Sequence, residues 1–303
     1  MSPDQTVPQR LPALVEAFAQ TAQAVVDLAR ACSDDDLAQL TDCPGWTVHD
    51  QISHVVGVEQ ALTLGGHQDP RVEMPPYEHI RNDLGKKVEY AVEVRRGRSG
   101  AQVLSELEDV LAQRLSTLRD PELTDTSIIA GPFGPDQATR VLLLRVFDVW
   151  THEQDIRSAL GRPGDLDSAG AAVVVSSVMR ELPKVLARSE ALRPGQLVVL
   201  DVTGPSPAVT ASQGVLVEVD EQGRTRGHAI TGGEVTAPGG GVLSGASQRA
   251  RQGPDGEVTR VRLSTEAFTR RAAGRRAVSD TAYDVVGDPA VARRVLDALV
   301  VTH

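Results

Sequence analysis

The sequence is poor in aromatic residues, cysteine and methionine. Aromatics make up 3% of the 303 residues, so apolar cores have to be built from Ala, Val and Leu. The only cysteines are Cys32 and Cys43. Two thiols cannot staple a chain of this length, which excludes a disulfide framework and points to a reducing cytoplasm. No apolar run approaches the roughly 20 residues that a membrane-spanning helix needs. The opening MSPDQTVPQR lacks the charged-then-apolar pattern of a secretion signal. Basic charge is also scarce, with 31 Lys and Arg against 41 Asp and Glu and a net charge of -10. Phosphate binding needs a basic face, so nucleic acid is not an expected partner, and RRAAGRR near the C-terminus is the one dense basic cluster. The expectation is a cytoplasmic chain without a membrane partner. A monomer is expected, because two domains cover their own faces.

Several chemical signatures are missing as well. There is no G-x-x-x-x-G-K-[ST], no G-x-G-x-x-G opening a helix and no G-x-S-x-G elbow, which argues against a phosphate loop and against a serine hydrolase of the elbow type. The Gly-rich TGGEVTAPGGGVLSG (231–245) reads as a connection between strands.

What is present divides into two textures. Up to residue 165 the apolar spacing is helical. Residues 11–31 form one helix, and Ser33 followed by three aspartates starts a short one. Pro44-Gly45 breaks the chain, and Thr47 with Asp50 makes a capping box for a helix reaching about Leu64. Residues 65–80 read as a long Pro-rich loop, 81–96 as a charged amphipathic piece, and 101–119 as a clear helix. A loop over 120–136 follows. Asp136 is expected to start a helix that ends near Gly161. This is an antiparallel four-helix bundle. After a helix over 168–189, in which Pro183 predicts a kink or an early stop, strands are expected at 197–203, 214–220, 226–232 and 258–264. Helices near 265–274 and 288–301 close the chain, with Ser264 or Thr265 capping the first and Asp288-Pro289 opening the second. The fold class is therefore α+β, with domains at 1–165 and 166–303.

One stretch stands out, RVFDVWTHEQDIR (145–157). Asp148 and His152 are four apart and share a helix face. His54, among Val55, Val56 and Val58, is the candidate third ligand from a facing helix. One His and an Asp-x-x-x-His pair make three ligands with open positions, a pattern of catalytic zinc. The bland alternative is a core histidine and a solvated helix-surface pair. His49 lies in the first turn and faces elsewhere, whereas His79 in the long loop is a further candidate ligand. Asp155, three residues after His152, is placed to orient it. Glu153 reads as a solvated charge. Arg275 and Arg276 suit either a carboxylate or phosphate ligand or a solvated helix end.

CPGWTVHDQISHVVGVE (43–59) resembles the N-terminal signature of the DinB-like, mycothiol-dependent maleylpyruvate isomerase family of actinobacteria, in which a His follows the Trp by eight residues. DVWTHEQDIR (148–157) resembles the family's second signature, with Asp148 where the family often has Glu. VRLSTEAFTRRAAGR (261–275) and GDPAVARRVLDAL (287–299) resemble its small sterol-carrier-like α/β domain. The resemblance implies a divalent metal, usually zinc, on His54, Asp148 and His152, and mycothiol as thiol cosubstrate. It implies a thiolate that adds to an electrophilic small molecule, either staying attached, as in an S-transferase, or leaving after bond rotation, as in a cis–trans isomerase. It also places Arg275 as a catalytic and cosubstrate-binding cation. The competing readings are a thiol-independent metal hydrolase and a non-catalytic small-molecule binding protein.

Overall fold

A computed structural model describes residues 9–65, 72–80, 82–231, 234–236 and 258–301. The chain divides into two compact units, Pro8–Val173 and Val174–His303. The division falls inside a helix rather than at the 165/166 boundary that the change of texture suggests.

The first unit is helical. Its four long helices are α1 (Leu11–Arg30), α3 (Val48–Leu64), α5 (Gly100–Leu118) and α6 (Ala138–Ala159), and between α1 and α3 lies the single turn α2 (Asp34–Leu37). α4 (Asp83–Glu93) packs on α3. α1 contacts α5 and α6, and α3 contacts the same two, so the four close into a ring. Leu14 and Phe18, Val55 and Val56, Leu107, and Leu142 and Val146 fill its centre and are almost fully buried. Each such side chain contributes about 2 kcal/mol, against about 1 kcal/mol for a helix cap, so the core holds the ring together and the caps fix where each helix begins. Three capping boxes do the latter, Ser33 with Asp36, Thr47 with Asp50, and Ser99 with Gln102.

The start of α6 differs from expectation. Asp136 does not cap it. Asp136–Gln137 is a short strand, β2, paired with β1 (Ile128–Ile129), and the helix begins at Ala138. The Asp136 carboxylate accepts from the Gln137 N–H at 2.7 Å, and the Ser127 carbonyl accepts from Ala138 N at 2.8 Å. Loop backbone thus satisfies the first helical donor, and no side-chain cap is needed.

The second unit is a six-stranded sheet in the order β6-β5-β4-β3-β7-β8, with β3 (Leu197–Thr203), β4 (Ala211–Val219), β5 (Thr225–Thr231), β6 (Glu234–Thr236), β7 (Thr259–Ser264) and β8 (Asp284–Val286). β3 and β7 are parallel and the other pairs antiparallel. β7 alternates strictly, with Thr259, Val261 and Leu263 buried and the arginines between them exposed, as a sheet with one covered face requires. α8 (Thr265–Ala272) and α9 (Pro289–Ala298) pack on β7. Ser264 caps α8 through Ala267 N, and Asp288 caps α9 through Ala290 N. Most of the Gly-rich 231–245 stretch lies outside the described residues. No helix among the described residues is long and apolar enough to cross a membrane.

α7 (Ala169–Arg188) runs through Pro183 without the early stop that the sequence suggests. A proline removes the N–H that would bond the carbonyl four residues earlier, here Met179. That carbonyl instead accepts from Gln213 Nε2 of β4 at 2.8 Å. Gln213→Met is therefore expected to lower stability towards urea by about 1–2 kcal/mol. Adding Pro183→Ala returns an N–H to the same carbonyl and recovers most of that loss. A double variant no more stable than Gln213→Met would show that this bond is not what Gln213 contributes.

Candidate metal centre

The approach to the site begins with a turn. Cys43-Pro44-Gly45-Trp46 closes through a Trp46 N–H to Cys43 carbonyl bond of 3.1 Å. Pro presets the second position, and Gly45, at φ 80°, supplies the left-handed third position of a type II turn. Thr47 then caps α3, so the turn delivers Trp46 to the base of the helix that carries His54. The Trp46 ring is buried and sits 5.1 Å from the His54 ring and 5.8 Å from the His152 ring, centroid to centroid.

His54, Asp148 and His152 converge, with one ligand atom of each within 4.8 Å of the others. His54 Nε2 lies 3.2 Å from Asp148 Oδ2, and His152 Nε2 lies 3.6 Å from Asp148 Oδ1. Both imidazoles are buried, while the Asp148 side chain is 34% exposed and forms the opening to solvent. Two imidazole nitrogens and a carboxylate converging at one opening fit a divalent metal of intermediate softness. Burial, with the neighbouring His152, pulls the pKa of His54 down to about 4, so its lone pair is available at neutral pH. Burial alone opposes a charge on Asp148, but the Arg145 guanidinium, with His152 and His54 behind it, holds its carboxyl well below the usual range. Burial also disfavours a charged His152, yet Asp148 and then Asp155 outweigh it and raise its pKa.

Behind the three candidate ligands lie further residues, most of them not singled out by any motif in the sequence. Arg145, almost fully buried, donates from Nη1 to Asp148 Oδ2 at 2.8 Å and from Nε to Glu59 Oε1 at 2.7 Å. Glu59 is itself wholly buried and lies 3.3 Å from Arg114 Nε through its other oxygen. The wholly buried Gln51 meets His152 Nδ1 at 2.5 Å. Asp155 stands 3.5 Å from the same nitrogen. It has the orienting place expected of it, but Gln51 is the nearer partner. The signal that would have found Gln51 is its spacing of three residues from His54 on one helix face; Glu59, five residues after His54, lies off that face.

His49 and His79 go elsewhere. His49 Nε2 meets the Arg98 carbonyl at 3.1 Å. His79 Nε2 lies 2.7 Å from Glu89 Oε2, which also accepts from Trp46 Nε1 at 2.8 Å. His79 thus braces the tryptophan instead of joining the ligands. Arg275 lies in the second unit. Its N–H bonds the Arg270 carbonyl at 2.9 Å and the Gly274 N–H bonds that of Arg271 at 3.0 Å, with Gly274 at φ 70°. This is a Schellman cap, which explains the Ala-Gly-Arg order and fixes the arginine's backbone. Arg276 pairs with Glu266 at 2.9 Å.

Comparison with known proteins adds the following. Residues 18–157 match the family model described as the mycothiol maleylpyruvate isomerase N-terminal domain. Two solved structures of the mycothiol-dependent maleylpyruvate isomerase are similar, one of them a histidine-to-alanine mutant. That mutant is 17% identical, with 94% of this chain and 96% of that one covered and a TM-score of 0.49. The other is 16% identical, with 95% and 96% covered and a TM-score of 0.47. No curated protein sequence matches the chain.

Glu153 corrects the expectation of a solvated charge. It is wholly buried, because the segment after α6 folds back over it, with Gln154 Nε2 donating to the Gly164 carbonyl and Trp150 Nε1 to that of Asp165. Arg157 Nε donates to Glu153 Oε1 at 2.6 Å, while Oε2 has no hydrogen-bond partner among the described residues. Burial, with the nearby Asp165 carboxylate, pushes the pKa of Glu153 up to about 8. Between the ordinary glutamate range and that value the folded chain holds a proton that the unfolded chain has lost, so stability falls as pH rises through this window. Glu153→Gln removes the dependence. Its stability in urea relative to the parent is expected to grow from about pH 5, just above the ordinary range, to pH about 8. A constant difference across that range would mean that Glu153 is already ionised at its lower end.

Proposed function

We propose, from the match of residues 18–157 to the family model of the mycothiol maleylpyruvate isomerase N-terminal domain, that the chain is a zinc-dependent enzyme using mycothiol as its thiol cosubstrate. The observation that carries this reading is the convergence of His54, Asp148 and His152 inside the matched segment. The reaction is the addition of the thiol to an electrophilic small molecule, as a mycothiol S-transferase or a maleylpyruvate-type cis–trans isomerase. Bound zinc supplies a Lewis acid that brings thiol ionisation down to neutral pH.

The chain's own residues prepare the site for that chemistry. His54 is neutral and Asp148 ionised at neutral pH, so neither has to change protonation to act as a ligand. Trp46 walls off both imidazole rings and keeps bulk water from their faces. Arg275, held by its helix cap, binds a carboxylate of the thiol or of the electrophile. No protein nucleophile is required. The cytoplasmic setting expected from only two cysteines agrees with use of a small-molecule thiol.

Elemental analysis of untagged protein is expected to find about one zinc per chain, and calorimetry is expected to find mycothiol binding that disappears with the metal. His54→Ala and His152→Ala should each lose the zinc and keep the fold by circular dichroism. Arg275→Lys should keep the zinc and weaken the binding of a carboxylate-bearing thiol or electrophile by about tenfold. Zinc without mycothiol binding would replace this reading with a thiol-independent hydrolase. Full zinc occupancy in either histidine variant would refute the ligand set.

A further inference from the structure

The two imidazoles of the centre are held differently on their far sides. His54 Nδ1 is buried with no hydrogen-bond partner among the described residues. His152 Nδ1 has Gln51 Oε1 at 2.5 Å and Asp155 Oδ2 at 3.5 Å. Which nitrogen of His152 carries the proton follows from the hydrogen bonds behind Gln51.

Gln51 Nε2 lies 2.7 Å from Thr41 Oγ1. The same hydroxyl lies 3.0 Å from the Trp46 carbonyl and 3.2 Å from the Cys43 backbone nitrogen. A carbonyl only accepts and a backbone N–H only donates, and a hydroxyl has one hydrogen and two lone pairs. The Thr41 proton therefore goes to the Trp46 carbonyl, and its lone pairs take the Cys43 N–H and the Gln51 amide N–H. Every valence of the hydroxyl is then used. Gln51 must turn its NH2 to Thr41 and its oxygen to His152, which leaves His152 Nδ1 as a donor. Turning the amide over would set its oxygen against a hydroxyl whose proton is committed. It would also require Nδ1 to be a bare lone pair beside the Asp155 carboxylate.

We infer that Thr41 and Gln51 are positioning residues that fix neutral His152 as the Nδ1–H tautomer, so that the Nε2 lone pair faces Asp148 and His54. A free imidazole visits both tautomers, and one of them offers no lone pair to the centre. The Pro-Gly-Trp turn acquires a second role in this arrangement. Besides placing the tryptophan, it presents the Trp46 carbonyl and the Cys43 N–H that orient the Thr41 hydroxyl. The use of the lone pair for metal rests on the proposed function, whereas the tautomer does not.

The test is made on the full-length, metal-free chain. The ring 15N shifts of His152, assigned by their loss in His152→Gln, are recorded above the pH at which the ring is neutral, and zinc affinity is measured by competition with a chromophoric chelator. The parent is expected to show Nδ1–H. Gln51→Leu and Thr41→Val should raise the Nε2–H population and weaken zinc binding by about 10–100-fold, and Thr41→Ser, which restores the hydroxyl, should return both readouts to the parent values. If Gln51→Leu does not fold, the isosteric Thr41→Val at a half-buried position carries the test. A parent with Nε2–H, or variants with the parent's shifts and affinity, would overturn the inference. A parent with Nδ1–H that binds no zinc would uphold the tautomer and sink the metal reading instead.

Discussion

Glu59 and Arg145 meet inside the helical unit at 2.7 Å, both sealed from water, and the candidate centre depends on that contact. It joins α3 to α6, the two helices that carry the candidate ligands. Burying a charge costs several kcal/mol unless it is paired, and here the charges alternate along a line from Arg114 through Glu59 and Arg145 to Asp148. The line ends at Asp148, the one candidate ligand open to solvent. Apolar replacements of buried ion pairs are often as stable as the pairs themselves, so the line is assigned a role in placement. It sets the separation and rotation of two helices whose Leu and Val contacts would tolerate a slide.

The same line sets the electrostatics of the opening. Arg145 engages Asp148 Oδ2, and the two imidazoles approach the same carboxylate from α3 and from one turn along α6. A carboxylate surrounded by three nitrogen groups stays ionised even where burial opposes it. Glu153, the residue directly after His152, experiences the reverse. It has one guanidinium, a second carboxylate nearby and no opening to water, and it keeps its proton towards pH 8. Two acidic side chains five residues apart on one helix thus carry different charges at neutral pH, through their neighbours alone.

Local signals in the sequence were enough for most helix starts and for the residues of the His54–Asp148–His152 cluster. Ser33, Thr47, Ser264 and Asp288 cap the helices expected of them, because a cap bonds within three residues of itself. Asp148 and His152 were legible because the four-residue spacing needs only a helix. Features closed by distant partners were not legible. Pro183 is tolerated because Gln213, on a strand, takes the carbonyl that it orphans. Asp136 is displaced as a cap by loop backbone from Ser127. Gln51, Glu59 and Arg145 look like ordinary polar positions until the facing helix is in place.

α6 shows why periodicity fails at such a site. Thr151, His152, Glu153, Gln154 and Asp155 are five consecutive polar residues and all are buried. No helix presents five consecutive positions to one partner, since successive residues are about 100° apart. They are buried because different things cover different sides, with Gln51 of α3 meeting His152 and the segment that follows α6 meeting Gln154 and Arg157. Amphipathic periodicity implies one apolar stripe and leaves the remainder to solvent, which is why Glu153 reads as a solvated charge in the sequence. Where a helix is enclosed on all sides, each buried polar group needs its own partner. The identity of those partners, rather than the apolar pattern, then determines what the helix can do.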